Sequence, residues 1–113
     1  MAKLIVLQKA YDCYLYLHNV LKRFPKSEKF VLSADIKLTF FEMLKMMLVA
    51  NKSAYKKKLL YEADVQLDLL RFRIRIAHDL KFISTKQYGI LSGQLSEIGK
   101  LLGGWIKSAL GNA

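Results

Sequence analysis

AYKKKLLYEADVQLDLLRFRIRIAHDLKFI, residues 54–83, contains neither proline nor glycine and decides the fold. Leu60, Ala63, Leu67, Leu70, Ile74 and Ala77 recur at alternating intervals of three and four, which is the spacing of one face of an α-helix. Val65, Leu69, Phe72, Ile76, Leu80 and Ile83 follow the same rhythm on the opposite face. A helix in a bundle buries one stripe against its neighbours. The second stripe therefore requires another cover, and exposed apolar patches of that extent mark protein interfaces.

The segments on either side repeat the helical rhythm. Pro25, the only proline, lies in Lys22-Arg23-Phe24-Pro25-Lys26-Ser27 and ends a first helix expected over about 2–23. A second helix is expected over about 27–50, stopping near Asn51-Lys52-Ser53, and the third over 54–83. Ser84-Thr85-Lys86-Gln87 reads as a capping box opening a fourth over about 85–110, with Gly111-Asn112-Ala113 fraying. No segment alternates with period two between hairpin turns, so strands are not expected. Four helices of about 20–30 residues joined by short turns specify an all-α, up-down-up-down four-helix bundle, a single domain over 1–113. The expected inward faces are Leu4, Leu7, Tyr11, Tyr14, His18 and Leu21 on the first helix, and Leu32, Ile36, Phe40, Met43, Leu44 and Met47 on the second. On the fourth they are Leu91, Leu95, Ile98, Leu102 and Trp105. The back of the fourth helix carries Gly89, Ser92, Gly93, Ser96, Gly103 and Gly104. Each interior glycine costs about 0.5–1 kcal/mol against alanine, so a row of them signals close approach of another helix. Together with Val65, Leu69, Phe72, Ile76 and Leu80, this glycine face points to a homo-oligomer.

Composition narrows the function. The 113 residues include 19 Lys+Arg and 9 Asp+Glu, a formal net charge of +10, and 53% are hydrophobic. Such a chain buries enough apolar surface to fold, which excludes disorder. Its longest uncharged run, Gln87 to Ser96, is far short of the ~20 residues a bilayer needs. The apolar stretch after Met1 is too short for a signal peptide and merges into helical periodicity. Cys13 is the only cysteine and forms no internal disulfide, which fits a reducing cytoplasm.

The catalytic inventory is thin. Neither His18 nor His78 has carboxylates or cysteine at metal or triad spacing. A bundle di-iron centre requires Glu-x-x-His, whereas Glu28, Glu42, Glu62 and Glu97 are followed three residues on by Val31, Lys45, Val65 and Lys100. The stretch Gly93 to Lys100 departs from a phosphate-binding loop in spacing, lacks Ser or Thr after the lysine, and lies within a helix. Neither an enzyme nor a metal or cofactor site is expected. The positive charge remains. Lys22, Arg23, Lys26 and Lys29 crowd the first turn, with Lys81 and Lys86 at the same end. Lys52, Lys56, Lys57 and Lys58 crowd the second turn at the other end. Arg71, Arg73 and Arg75 line the third helix. This distribution favours phosphate backbones, where each cation releases condensed counterions. Asp68–Arg71 and Arg75–Asp79 are spaced to pair along the helix, so these two arginines either brace the structure or contact phosphate.

Three patterns together carry a family resemblance. They are Phe24-Pro25-Lys26 with Phe30-Val31-Leu32; Ala63-Asp64-x-x-Leu67-x-x-Leu70-Arg71-x-x-x-Arg75; and Ile98-Gly99-x-Leu101-Leu102-Gly103-Gly104-Trp105-Ile106. In combination they resemble the accessory variability (Avd) proteins of diversity-generating retroelements, over about 11–107. The resemblance implies a basic four-helix bundle assembled as a homopentamer. It also implies binding to the element's reverse transcriptase and to nucleic acid, whether template RNA, complementary DNA or an RNA–DNA hybrid, in support of mutagenic reverse transcription. Arg71 and Arg75 match the family's two arginines one turn apart; Arg73 is an addition. A related bundle family, encoded in intervening sequences of ribosomal RNA genes, shares the Phe-Pro-Lys turn but not its usual second-helix pattern. A protein–protein scaffold whose charge serves solubility is the other alternative.

Overall fold

The computed structural model describes the backbone of residues 2–111 and the side chains of 5–110. Its elements are α1 (Ala2–Leu21), α2 (Lys26–Lys29), α3 (Leu32–Lys52), α4 (Lys56–Asp79) and α5 (Thr85–Gly111). The four long helices form a bundle measuring 46 × 24 × 19 Å. α4 packs along α3 on one side and α5 on the other; α1 closes the ring, leaning mainly on α5 and only lightly on α3. Short turns make sequence neighbours antiparallel, as helices of this length in a bundle of this length must be. Phe24 and Phe82, with ring centroids 5.6 Å apart, bring the first and third turns together at one end. Among the described residues no helix is long and apolar enough to cross a membrane.

The inner faces of α3, α4 and α5 follow the periodicity. Ile36, Phe40, Met43 and Met47, then Leu60, Ala63, Leu67, Leu70, Ile74 and Ala77, and then Leu91, Leu95, Ile98, Leu102 and Trp105 are buried, while Leu32 and Leu44 are half-buried. α1 is rotated from its expected phase. Val6, Ala10, Cys13, Leu17, Val20 and Leu21 are buried, whereas Tyr11 is 60% exposed and Leu7, Tyr14 and His18 are half-buried. Leu4 lies outside the residues whose side chains are described. The physical reason is close approach: α1 is apolar on most sides, and the face presenting the small, fully buried Ala10 and Cys13 lets it pack tightly into the bundle. Tyr14 instead packs beside Phe40 and Phe41 of α3, at 5.2 and 4.8 Å between centroids. Burial pushes the Cys13 thiol up to about 12, so it stays protonated and inert at neutral pH. Alkylation with a maleimide at pH 7.5 is expected to proceed only as fast as the protein unfolds; rapid labelling of the folded protein would show that this packing is wrong.

Helix limits depart from expectation at three places. α1 ends at Leu21 instead of 23, because Pro25 cannot supply an N–H and the chain turns through Arg23 and Phe24. The second helix does not start at 27 and run on. Lys26–Lys29 makes one isolated turn with no buried residue to hold it in line, and α3 starts afresh at Leu32 and continues to Lys52. The third starts at Lys56 and stops at Asp79, short of 83. Lys81 adopts φ 68°, its N–H donates to the His78 carbonyl at 2.9 Å, and the Phe82 N–H donates to the Ala77 carbonyl at 2.8 Å. This is a Schellman stop with lysine in the left-handed position usually held by glycine. Beyond it the chain swings inward, so Ile83 is buried and does not extend the outer stripe. Lys81→Gly relieves the strained φ and is expected to raise the unfolding free energy by about 0.5–1 kcal/mol in urea titration; a loss of stability would contradict the cap.

α5 opens as its sequence implies. The Gln87 N–H donates to Ser84 Oγ at 3.1 Å, and the Ser84 N–H donates back to Gln87 Oε1 at 3.2 Å. The helix extends through Gly111; Asn112 and Ala113 lie outside the described residues.

Candidate nucleic-acid interface

The folded topology sorts the charge. From Met43 through the α3–α4 turn to Tyr61 the chain holds Lys45, Lys52, Lys56, Lys57 and Lys58 and no carboxylate. From Ile98 to Gly111, the last residue of α5, it holds Lys100 and Lys107, again with no Asp or Glu. Antiparallel packing sets these segments side by side at one end of the bundle, together with the start of α1, where the first acid is Asp12. Most of the acids lie nearer the middle: Asp12, Glu42, Glu62, Asp64, Asp68 and Glu97. The opposite end carries Lys22, Arg23, Lys26, Lys29, Lys81 and Lys86, tempered by Glu28, Asp35 and Asp79. The α3–α4 turn and the last turns of α5 are thus free of Asp and Glu, the nearest acid being Glu62, one turn beyond Lys58, and the other end is mixed.

The lysines at the carboxylate-free end differ in what they do. Lys56 donates from Nζ to the Ala50 carbonyl at 3.1 Å and to the Ser53 carbonyl, satisfying the C-terminal end of α3. It is a cap as well as a charge. Lys52, Lys57 and Lys58 are exposed. Three lysines and no acid occupy the first turn of α4, at the positive end of its dipole, where cations lower helix stability. Helix stability therefore does not account for Lys57 and Lys58, which cap nothing. Lys58 also lines a shallow groove with Met46, Tyr61, Glu62, Val65 and Gln66 between α3 and α4.

The three arginines of α4 are spoken for to different degrees. Arg71 reaches across to α5, where Nη2 donates to the Leu95 carbonyl at 3.2 Å and Nη1 lies 3.5 Å from Asp68 Oδ1. Gly99 makes room for it: a Cβ at that position would collide with the guanidinium. Arg73 turns the other way and donates from Nη1 to the Asp35 carbonyl at 3.3 Å and to Thr39 Oγ1, tying α4 to α3. Arg75 is the most open, with Nε 3.9 Å from Asp79 Oδ2 and both side chains exposed. Asp64 sits one turn before Asp68. Desolvation, reinforced by the Asp68 charge and opposed by Arg71, holds its carboxyl above the usual range. With the folded-state pKa raised, the ionised group opposes folding at neutral pH, and that cost lessens as the pH falls.

The outer stripe of α4 faces outward as expected: Val65, Leu69, Phe72, Ile76 and Leu80 are all exposed, Phe72 by 63%. Gly89, Gly93, Gly103 and Gly104 of α5 have open space where a Cβ would stand. Sequence reasoning missed a second apolar surface. Tyr11 and Leu15 of α1 and Leu38, Phe41 and Leu48 of α3 are also exposed, where those two helices meet loosely. The signal was present in α1, whose apolar residues exceed what one face can bury. Two aromatic side chains were missed as well: Phe30, 91% exposed, and Tyr55, 87% exposed, each within a lysine-rich turn.

Fold and charge together define a small four-helix bundle with one carboxylate-free basic end and unpartnered apolar faces. The chain belongs to the bAvd-like family, whose profile matches residues 4–109. It is also similar to the crystal structure of a protein of unknown function from the S23 ribosomal protein family of Bacteroides thetaiotaomicron VPI-5482. That likeness has a TM-score of 0.85 at 21% identity, over 95% of this chain and 99% of the other, and shows the shared fold. No curated protein matches the sequence.

Proposed function

We propose that this protein is a non-catalytic accessory subunit of a diversity-generating retroelement. In this reading it is a basic homo-oligomer, a pentamer by analogy with Avd proteins, that binds template RNA or complementary DNA. It holds that nucleic acid beside the element's reverse transcriptase in the cytoplasm. The observation that carries the nucleic-acid part is the carboxylate-free end, where Lys52, Lys57 and Lys58 project without ion-pair partners among the described residues and where Lys57 and Lys58 stand against the dipole of α4. Membership of the bAvd-like family supports the accessory role, and the outward apolar stripe of α4 with the open glycine face of α5 supports assembly. Within this reading Arg71 and Arg73 act first as struts between helices. Arg75, with Lys22, Arg23, Lys26 and Lys29 at the far end, supplies further phosphate contacts.

Replacing Lys52, Lys57 and Lys58 together by glutamine, while sparing the capping Lys56, tests it. Fluorescence anisotropy with labelled single-stranded RNA is expected to show weaker binding and a log–log salt slope shallower by about 2, since each lysine on a single strand contributes about 0.7. Unchanged affinity and slope would favour the second reading, a protein–protein scaffold whose exposed apolar faces do the work and whose charge serves solubility. Co-purification with the reverse transcriptase, with and without nuclease, tests the partner directly.

A further inference from the structure

We infer that Tyr55 is a stacking platform for an unpaired base, so that the carboxylate-free end takes single-stranded nucleic acid in preference to duplex. This inference rests on the nucleic-acid reading above and names the ligand of that same surface. Tyr55 is 87% exposed and joins none of the aromatic pairs of the bundle, which gather Tyr14, Phe40 and Phe41 in one cluster, Phe24 with Phe82, and His78 with Tyr88. A ring left this open gives nothing to the core.

Its backbone, by contrast, is held. The Tyr55 N–H donates to Ser53 Oγ at 3.0 Å, and the Lys56 ammonium ties the same turn to the carbonyls of Ala50 and Ser53. The turn therefore displays the ring from a fixed base, which lowers the ordering cost of binding. Exposed Lys52, Lys57 and Lys58 flank it in sequence, and the nearest carboxylates along the chain are Glu42 and Glu62. An open aromatic face set among unpaired cations matches the two parts of a single strand, a free base face and its phosphates. A duplex offers the phosphates alone, because its bases are stacked on one another. Phe30 at the opposite end is as exposed, but its turn includes Glu28 and the exposed apolar Val31, so the charge argument is weaker there.

The test compares one labelled RNA strand, alone and annealed to its complement, on wild type, Tyr55→Ala, Tyr55→Phe and the Lys57→Gln/Lys58→Gln double variant, with thermal melts confirming folding. Tyr55→Ala is expected to weaken single-strand binding by about 5- to 150-fold, the equivalent of 1–3 kcal/mol per stacked base. It should leave both duplex binding and the salt slope unchanged. Tyr55→Phe keeps the ring and should bind as wild type, while the lysine variant lowers the slope on both ligands. Tyr55→Ala binding the single strand as wild type does, or losing duplex affinity equally, would overturn the stacking role and leave the nucleic-acid reading standing. Wild type that binds neither RNA form, but does bind phosphatidylserine vesicles or polyglutamate, would overturn both.

Discussion

Phe40→Ala is expected to lower the unfolding free energy by about 3–5 kcal/mol, a large part of the roughly 5–15 kcal/mol that stabilises a domain of this size. Phe40 is fully buried on α3. Its ring lies 5.2 Å from that of Tyr14, which also meets Phe41 at 4.8 Å, so the two phenylalanines together link α3 to α1, the most lightly packed neighbours in the ring of helices. Truncation removes the transfer free energy of the ring and leaves a cavity that neighbouring aromatics on rigid helices fill only in part. Phe40→Leu retains most of the volume and should cost about 1–1.5 kcal/mol. Urea unfolding followed by circular dichroism at one fixed protein concentration gives both values. A loss below about 1 kcal/mol for the alanine variant would mean that α1 does not dock through this cluster.

The second large effect concerns assembly. Phe72 and Ile76 stand one turn apart on the outer stripe of α4, 63% and 47% exposed, so the protomer itself gains little from them. If a neighbouring copy covers them, their burial contributes about 3–6 kcal/mol per interface. Phe72→Glu with Ile76→Glu removes that gain and sets two carboxylates in an apolar contact, which should raise the dissociation constant by about 100- to 10,000-fold. Light scattering at micromolar concentration is expected to give an oligomer for wild type and a monomer of unchanged helicity for the variant. An unaltered mass would move the interface to the Tyr11, Leu15, Leu38 and Phe41 surface; a monomeric wild type would remove the assembly proposal.

Much of the bundle is legible in the sequence. The inner stripes of α4 and α5, the Ser84–Gln87 capping box and the Asp68–Arg71 and Arg75–Asp79 pairs are all local, because residues three or four apart on a helix meet whatever surrounds them. The stop at Lys81 was not legible, because a lysine in the left-handed position is marked by no glycine or asparagine. The phase of α1 was not legible for a related reason. A helix with apolar residues on most sides has several candidate inward faces, and only the fit of Ala10 and Cys13 against the rest of the bundle selects one.

By itself, then, the chain's order of residues determined four amphipathic helices, their approximate ends, a +10 charge and an unpartnered stripe on α4. Each of these depends on spacings of a few residues or on composition. Which lysines share a surface is a different kind of fact. The lysines around the α3–α4 turn and those near the end of α5 are separated by some 40 residues or more of sequence, and only the antiparallel return of the helices sets them at one end without an acid among them. The tertiary structure also decided that Arg71 and Arg73 are occupied by α5 and α3, and that Tyr55 stands free among the lysines. Pattern along a helix is fixed by 3.6-residue geometry; occupancy and accessibility depend on which neighbour arrives, and that is settled only when the helices pack.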